Sequence, residues 1–188
     1  GGYPAGATVF ITAAPSAGYK LTSGSLRAYK TGDESTVVPI TGSSFIMPDF
    51  EVTVTGEFER LPLQATFVAS NSGDWPVDLL LESGSGRIAV DQGDGVLVAY
   101  DIDLESSFFY VMSYVAGNTV KIYGENITAL SFQCSLTALD VSRVTKLTLL
   151  YCPNSLLNFA TLPQPKASYE MYVYAPQADM PAICTNGV

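Results

Sequence analysis

Histidine is absent from this chain of 188 residues. Its absence removes Ser-His and Cys-His activation of a nucleophile, the HExxH zinc arrangement, and the side chain that ordinarily trades protons near neutral pH. Basic residues are the next shortage. Nine Lys and Arg stand against eighteen Asp and Glu, a formal net charge of -9. Without a basic stripe to neutralise phosphates, nucleic acid is not expected as a partner. No apolar run approaches the ~18 residues a spanning helix needs, and no charged-then-apolar leader opens the sequence, so no membrane span is expected in it. The chain begins Gly-Gly without Met, which reads as a cloning scar on a piece of a longer precursor whose leader has been removed. Cys134, Cys152 and Cys184 are odd in number and lack a CxxC spacing. They specify neither a disulfide framework nor a thiolate metal site, and leave the compartment open. The P-loop and GxGxxG patterns are missing as well. These absences predict a protein that is not an enzyme and carries no cofactor.

What is abundant is Thr, Val, Tyr, Phe, Ser and Gly, a mixture that favours strands over helices. The length suits two or three compact modules of roughly 60 residues each. Residues 1–60 hold strand-length runs, "ATVFITAAP", "GYKLTSGSLRAYKTG", "STVVPITGSS" and "FIMPDFEVTVTGEFE". In the last, Val52 and Val54 alternate with Thr53 and Thr55, the period of a pleated strand. Pro62 marks the first joint, because proline stiffens a short connection and lacks a ladder donor. Residues 61–124 then carry "QATFVA", "VDLLLE", "GRIAVD", "GVLVAYD", "SFFYVMSYV" and "TVKIYG", a β-sandwich-like module. "DQGDG" at residues 91–95 joins two of these runs as a hairpin in which Gly93 and Gly95 are free to take positive φ.

From residue 119 the periodicity changes. Leu-Thr-x-Leu-like units begin at Ile127, Leu136, Leu147 and Leu156, at steps of nine, eleven and nine residues. Equivalent positions therefore return every twenty residues, with two short strands in each circuit. A solenoid coil does this when each circuit buries matched apolar side chains against its neighbours. Leu130, Leu139 and Leu150 are the expected spine. The outward positions are then Ser131 and Gln133, Ala138 and Asp140, and Leu149 and Tyr151, forming rows on one or two faces. The predicted architecture is all-β: tandem small β modules over 1–60 and 61–124, followed by a short leucine-rich-repeat β-solenoid over 125–188. Its terminal strand and cap are expected in "SYEMYVYAP".

Two stretches resemble known families. "SSFIMPDFEVTVTGEFE", with "GATVFITAAPSAGYKL" before it, resembles the divergent internalin-type B-repeat modules of bacterial surface proteins. "LTALDVS" and "LTLLYCPN" look like the two half-units of the short leucine-rich repeats of such proteins, and "TVKIYGENITAL" is similar to their lead-in strand. Val144 stands where that family often has Asn, "SFQCS" is contracted, and "LLNFATL" loses the polar Thr. The resemblances imply an extracellular, secreted or surface-anchored adhesion protein.

Candidate chemistry is sparse. In "DIDLE", strand alternation places Asp101, Asp103 and Glu105 on one face, either as a solvated acidic strand or as oxygen ligands for calcium. Asp91 and Asp94 offer the same choice between hairpin turn and cation ligand. Cys152 falls at an inward position equivalent to Val141 and Phe132, as a small buried hydrophobe. Trp75, the single tryptophan, sits in "NSGDWPVD", a loop-like stretch where it either covers a core edge or offers a stacking platform. Ser131, Asp140, Leu149, Tyr151 and Trp75 are the candidate ligand-binding residues, and Tyr172 and Tyr174 extend the question to the last strand. Leu149 and Tyr151 are apolar for a solvated face, which is the chemistry of a contact surface or of a patch covered by an adjoining module. The expected partner is a protein or glycan on a host or microbial surface, met by a monomer. The alternative is a carbohydrate-binding module using Tyr and Trp platforms, with calcium at the acidic strand.

Overall fold

The computed structural model describes residues 2–81, 86–102, 110–115, 117–152, 160–161 and 172–174. Those residues are all-β, without a helix, and among them no helix is long and apolar enough to cross a membrane. The chain divides into two compact units, Gly1–Arg60 and Leu61–Val188.

The first unit has seven short strands: β1 (Thr8–Phe10), β2 (Tyr19–Leu21), β3 (Arg27–Lys30), β4 (Asp33–Val37), β5 (Ser44–Ile46), β6 (Val52–Thr55) and β7 (Phe58–Arg60). They pair antiparallel as β1–β5, β2–β7 and β4–β3–β6. The β1–β5 register sets Val9 opposite Phe45, and these two join Ala28 and Val38 in the buried core. Ile11, Ile40, Met47, Phe50 and Val52 pack around it. The Phe-x-Met-Pro stretch thus supplies Phe45 to the centre and Met47 to its edge. The β3–β4 turn is held by Asp33, whose carboxylate accepts hydrogen bonds from the Ser35 and Thr36 hydroxyls and the Ser35 amide. Those donors hold its pKa below the usual carboxylate value.

The second unit contains β8 (Leu63–Ala69), β9 (Gly73–Leu81), β10 (Gly86–Asp91), β11 (Leu97–Ile102), β12 (Tyr110–Tyr114), β13 (Thr119–Tyr123), β14 (Ile127–Phe132), β15 (Leu136–Asp140), β16 (Leu149–Tyr151), β17 (Ala160–Thr161) and β18 (Tyr172–Tyr174). They form two sheets, ordered β11-β10-β13-β8-β15-β17 and β12-β9-β14-β16-β18. One apolar core joins them. It draws Phe67, Ile88, Ile122 and Leu139 from the first sheet and Val77, Leu79, Leu130, Phe132 and Leu150 from the second. The rings of Phe67 and Phe132 meet edge to face, with centroids 4.9 Å apart. The boundary expected at 124/125 runs through this unit rather than around it, because β13 and β15 both pair with β8.

Strand direction changes within each sheet. β15 lies antiparallel to β8 and β14 antiparallel to β9, but β16 continues from β14, β18 from β16 and β17 from β15 in parallel. Successive half-units therefore alternate between sheets. Ala129 pairs with Leu149, twenty residues on. Leu149 pairs in turn with Tyr172. In the other sheet the repeat spacing sets Leu139 against Phe159, whereas the ladder sets it against Ala160, one residue further.

The recurring Thr has a mechanical role. Thr148 donates both its amide and its hydroxyl to the Thr128 carbonyl, at 2.8 and 3.0 Å, so these two threonines tie the start of β16 to β14. Thr137 reaches the Val68 carbonyl at 3.3 Å, fastening the first rung to β8. The intended spine is buried: Leu130 and Leu150 are 0% exposed and Leu139 is 1%.

Candidate functional site

The strands β14, β16 and β18 are aligned because the ladder between them is parallel and in register. Ala129, Leu149 and Tyr172 occupy one row, and Ser131, Tyr151 and Tyr174 the next. Adjacent strands lie about 4.8 Å apart, so Ser131 and Tyr151 are within side-chain reach of a common ligand. Leu130, Phe132 and Leu150 point into the core. Between them Ser131 and Leu149 are half-buried and Tyr151 is exposed. Three of the expected residues, Ser131, Leu149 and Tyr151, are thus brought together on one sheet.

Asp140 is not with them. It ends β15 in the opposite sheet, where it pairs with Thr66 and Thr161. The cause is the alternation of half-units: an outward residue of one half-unit and an outward residue of the next lie on opposite faces. Its carboxylate accepts the Ser142 amide at 2.9 Å, a local turn that shapes the exit from the strand. Trp75 stands in β9 rather than on a loop, opposite Met112 of β12 and two residues beyond the Val77–Phe132 pair.

The acidic strand does not gather into a cation site among the described residues. Asp101 pairs across strands with Arg87, whose Nη1 donates to its carboxylate at 2.7 Å. Asp103 and Glu105 lie outside the described residues. No group of three or more His, Cys, Asp or Glu suited to a metal ion occurs among the described residues.

Asp91 is buried and forms the hairpin. Its Oδ1 accepts the amides of Gly93 and Gly95 at 2.9 Å each, and its Oδ2 accepts Lys121 Nζ at 3.3 Å. Gly93 has φ 95°, and a Cβ there would stand 2.6 Å from Asn118 Cβ, so both backbone and space require glycine. Asp94 in turn accepts the Val96 amide. Burial pushes the Asp91 pKa up, but the two amides and Lys121 together outweigh it and hold the group below its ordinary value. A depressed folded pKa contributes stability above the unfolded value near pH 4, and that stability is lost as pH falls through the folded pKa. Asp91→Asn is therefore expected to cost about 1–3 kcal/mol at neutral pH. In urea unfolding at stepped pH, its deficit against the unaltered chain should shrink below about pH 4. A deficit that stays constant down to about pH 2 would rule out a charged role for Asp91.

Both described cysteines are buried and neither forms a disulfide. Burial pushes the Cys134 thiol up to about 11, which keeps it protonated and unreactive. Cys152 is 0% exposed, like Val141 and Phe132. Cys184 lies outside the described residues.

Sequence reasoning missed a polar pocket of about 360 Å³ lined by Gln64, Glu125, Asn126, Ile127, Arg143, Thr145 and Lys146. The available signal was "SRVTK", two cations three residues apart in a chain poor in them. The first unit carries a larger open groove of about 780 Å³ beneath β3, rimmed by Arg27, Glu34, Val37 and Glu57.

The first unit, with its core of Val9, Ala28, Val38 and Phe45, is similar to a known domain family. Residues 1–62 match the family model of the divergent InlB B-repeat domain. The match covers residues 1–62 alone and makes the first unit similar to that domain. Comparison of the chain with curated proteins and with solved structures gives no match.

Proposed function

We propose that this chain is the binding part of a non-enzymatic, extracellular surface protein. In this reading its B-repeat unit is followed by a short leucine-rich β-solenoid built on a β-sandwich. The solenoid presents the Leu149 and Tyr151 rows to a protein partner on a host or microbial surface. The observation that carries the reading is the in-register parallel ladder of β14 and β16. It buries one set of positions completely and sets apolar Leu149 beside exposed Tyr151 on the outer face. An aromatic flanked by an aliphatic is the usual composition of a contact centre. The B-repeat match supports a surface location.

The test is a paired substitution in the whole chain, Leu149→Ser with Tyr151→Ser. Adhesion of fluorescently labelled protein to intact host cells and to microbial cells is the readout. The substituted chain is expected to lose at least tenfold in cell binding, as the loss of two central contacts of about 1–2 kcal/mol each implies. Its melting temperature should move by only a few degrees. Undiminished adhesion would sink the assignment of this face.

A further inference from the structure

The polar pocket at the turn edge of the second unit is built where three segments converge: the start of β8 with Gln64, the β13–β14 turn with Glu125 and Asn126, and the β15–β16 turn with Arg143, Thr145 and Lys146. Buried Ile127 closes its base. Charge is distributed unusually here. Among the described residues of the second unit, Arg87 is paired with Asp101 and Lys121 with Asp91. The other two described cations, Arg143 and Lys146, both line this pocket. Lys146 Nζ donates to Asn126 Oδ1 at 2.8 Å. The Arg143 guanidinium and the Gln64 amide have no hydrogen-bond or ion-pair partner among the described residues, although Arg143 lies in a chain with twice as many acidic as basic groups.

Asn126 adds a second observation. It is the only non-glycine residue with positive φ among those described, at 56°. Glycine would meet that backbone requirement at no steric cost. Asparagine meets it and also places an amide at the pocket, with its Nδ2 donors left over once Oδ1 has accepted Lys146.

The chemistry of the lining defines a ligand. A guanidinium matches a carboxylate with two parallel hydrogen bonds. The amides of Gln64 and Asn126 and the hydroxyl of Thr145 both donate and accept, which suits sugar hydroxyls that do the same. Glu125 on the same rim disfavours a dianion such as phosphate and leaves room for a single negative charge. At about 360 Å³ the space is at the lower end of the roughly 300–1,000 Å³ of small-ligand sites, the scale of one sugar ring. We propose that this pocket binds a uronic acid unit of an acidic glycan, Arg143 pairing with the carboxylate while Gln64, Asn126 and Thr145 hold ring hydroxyls. The site is separate from the Leu149 and Tyr151 face, so it stands or falls independently of the protein-contact reading.

The experiment is a titration of the whole chain, labelled with nitrogen-15, with glucuronate, glucose, acetate and inorganic sulfate, each to millimolar concentration. Glucuronate is expected to move the side-chain signals of Arg143, Gln64 and Asn126. Glucose, which lacks the carboxylate, and acetate, which lacks the hydroxyls, should each bind about tenfold more weakly or worse. Arg143→Gln should weaken glucuronate by about tenfold and leave glucose unchanged. Asn126→Gly retains the turn and should weaken glucuronate several-fold with an unaltered melting temperature. Acetate or sulfate moving the same signals as strongly as glucuronate would reduce the site to an unselective anion patch and overturn the proposal. So would an absence of any shift with glucuronate, or an Arg143→Gln chain that binds it as well as before.

Discussion

Leu139→Asp is expected to unfold the second unit. Leu139 is 1% exposed, and its strand β15 lies between β8 and β17, with Phe67 directly opposite. Removing the leucine alone costs about 2–5 kcal/mol. A carboxylate put in its place stands in an apolar cluster, which adds several kcal/mol more before the group protonates. Against a typical domain stability of about 5–15 kcal/mol, the sum leaves little or no folded population. The neighbouring residue provides the contrast. Asp140→Leu removes one hydrogen bond to the Ser142 amide at a half-buried site, and should cost about 1 kcal/mol. Urea unfolding followed by far-UV circular dichroism distinguishes the two, and Leu139→Ala supplies a measurable intermediate if the aspartate variant does not fold. Similar losses for Leu139→Asp and Asp140→Leu would mean that the inward and outward assignments of β15 are wrong.

That contrast also shows which features were legible in the sequence. The spine was readable because Leu130, Leu139 and Leu150 recur in the same local frame, and a strand that buries one face must alternate. The hairpin at residues 91–95 was readable because Asp and Gly at those spacings have local partners: Asp91 bonds amides two and four residues away. The sheet to which each half-unit belongs was not readable. A spacing of nine says that two strands share a frame, but nothing local says that they lie on opposite layers, so the sequence leaves open whether the Asp140 row shares a face with the others. Trp75 was misplaced for a related reason. Gly73, Asp74 and Pro76 carry turn chemistry, yet β9 runs through them because β12 pairs along this stretch. Pro76 is tolerated because β14 stops at the Val77–Phe132 pair, leaving the strand an edge at the proline. The pairing of β13 with β8 and β10 joins segments distant in the chain, and no local pattern encodes it. The Arg143 pocket is likewise a convergence of two turns and the start of β8, of which only the two cations of one turn are visible as a motif.

The joint between the antiparallel sandwich and the parallel circuits should be the most sensitive part of the second unit, and Phe132→Ala is expected to expose it. Phe132 belongs to β14, the first strand of the parallel ladder with β16 and β18, and Phe67 to β8, which pairs with β15 in the other sheet. Both are buried, and their rings meet at an interplanar angle of 63°. Either truncation to alanine should cost about 3–5 kcal/mol, the range for emptying a phenylalanine site in a packed core. The pair should carry a further coupling of about 0.5–1.5 kcal/mol beyond area burial, so that the double variant loses less than the sum of the two single losses. The coupling reports on architecture as well as on stability. If the sandwich and the circuits share one core, Phe132→Ala must destabilise strands on both sides of residue 125 together, and hydrogen exchange should show β8 and β13 losing protection in step with β15 and β16. Loss confined to β14 and β16, with β8 and β13 fully protected and the two truncations additive within about 0.3–0.5 kcal/mol, would separate the repeats from the sandwich as an independently folding element.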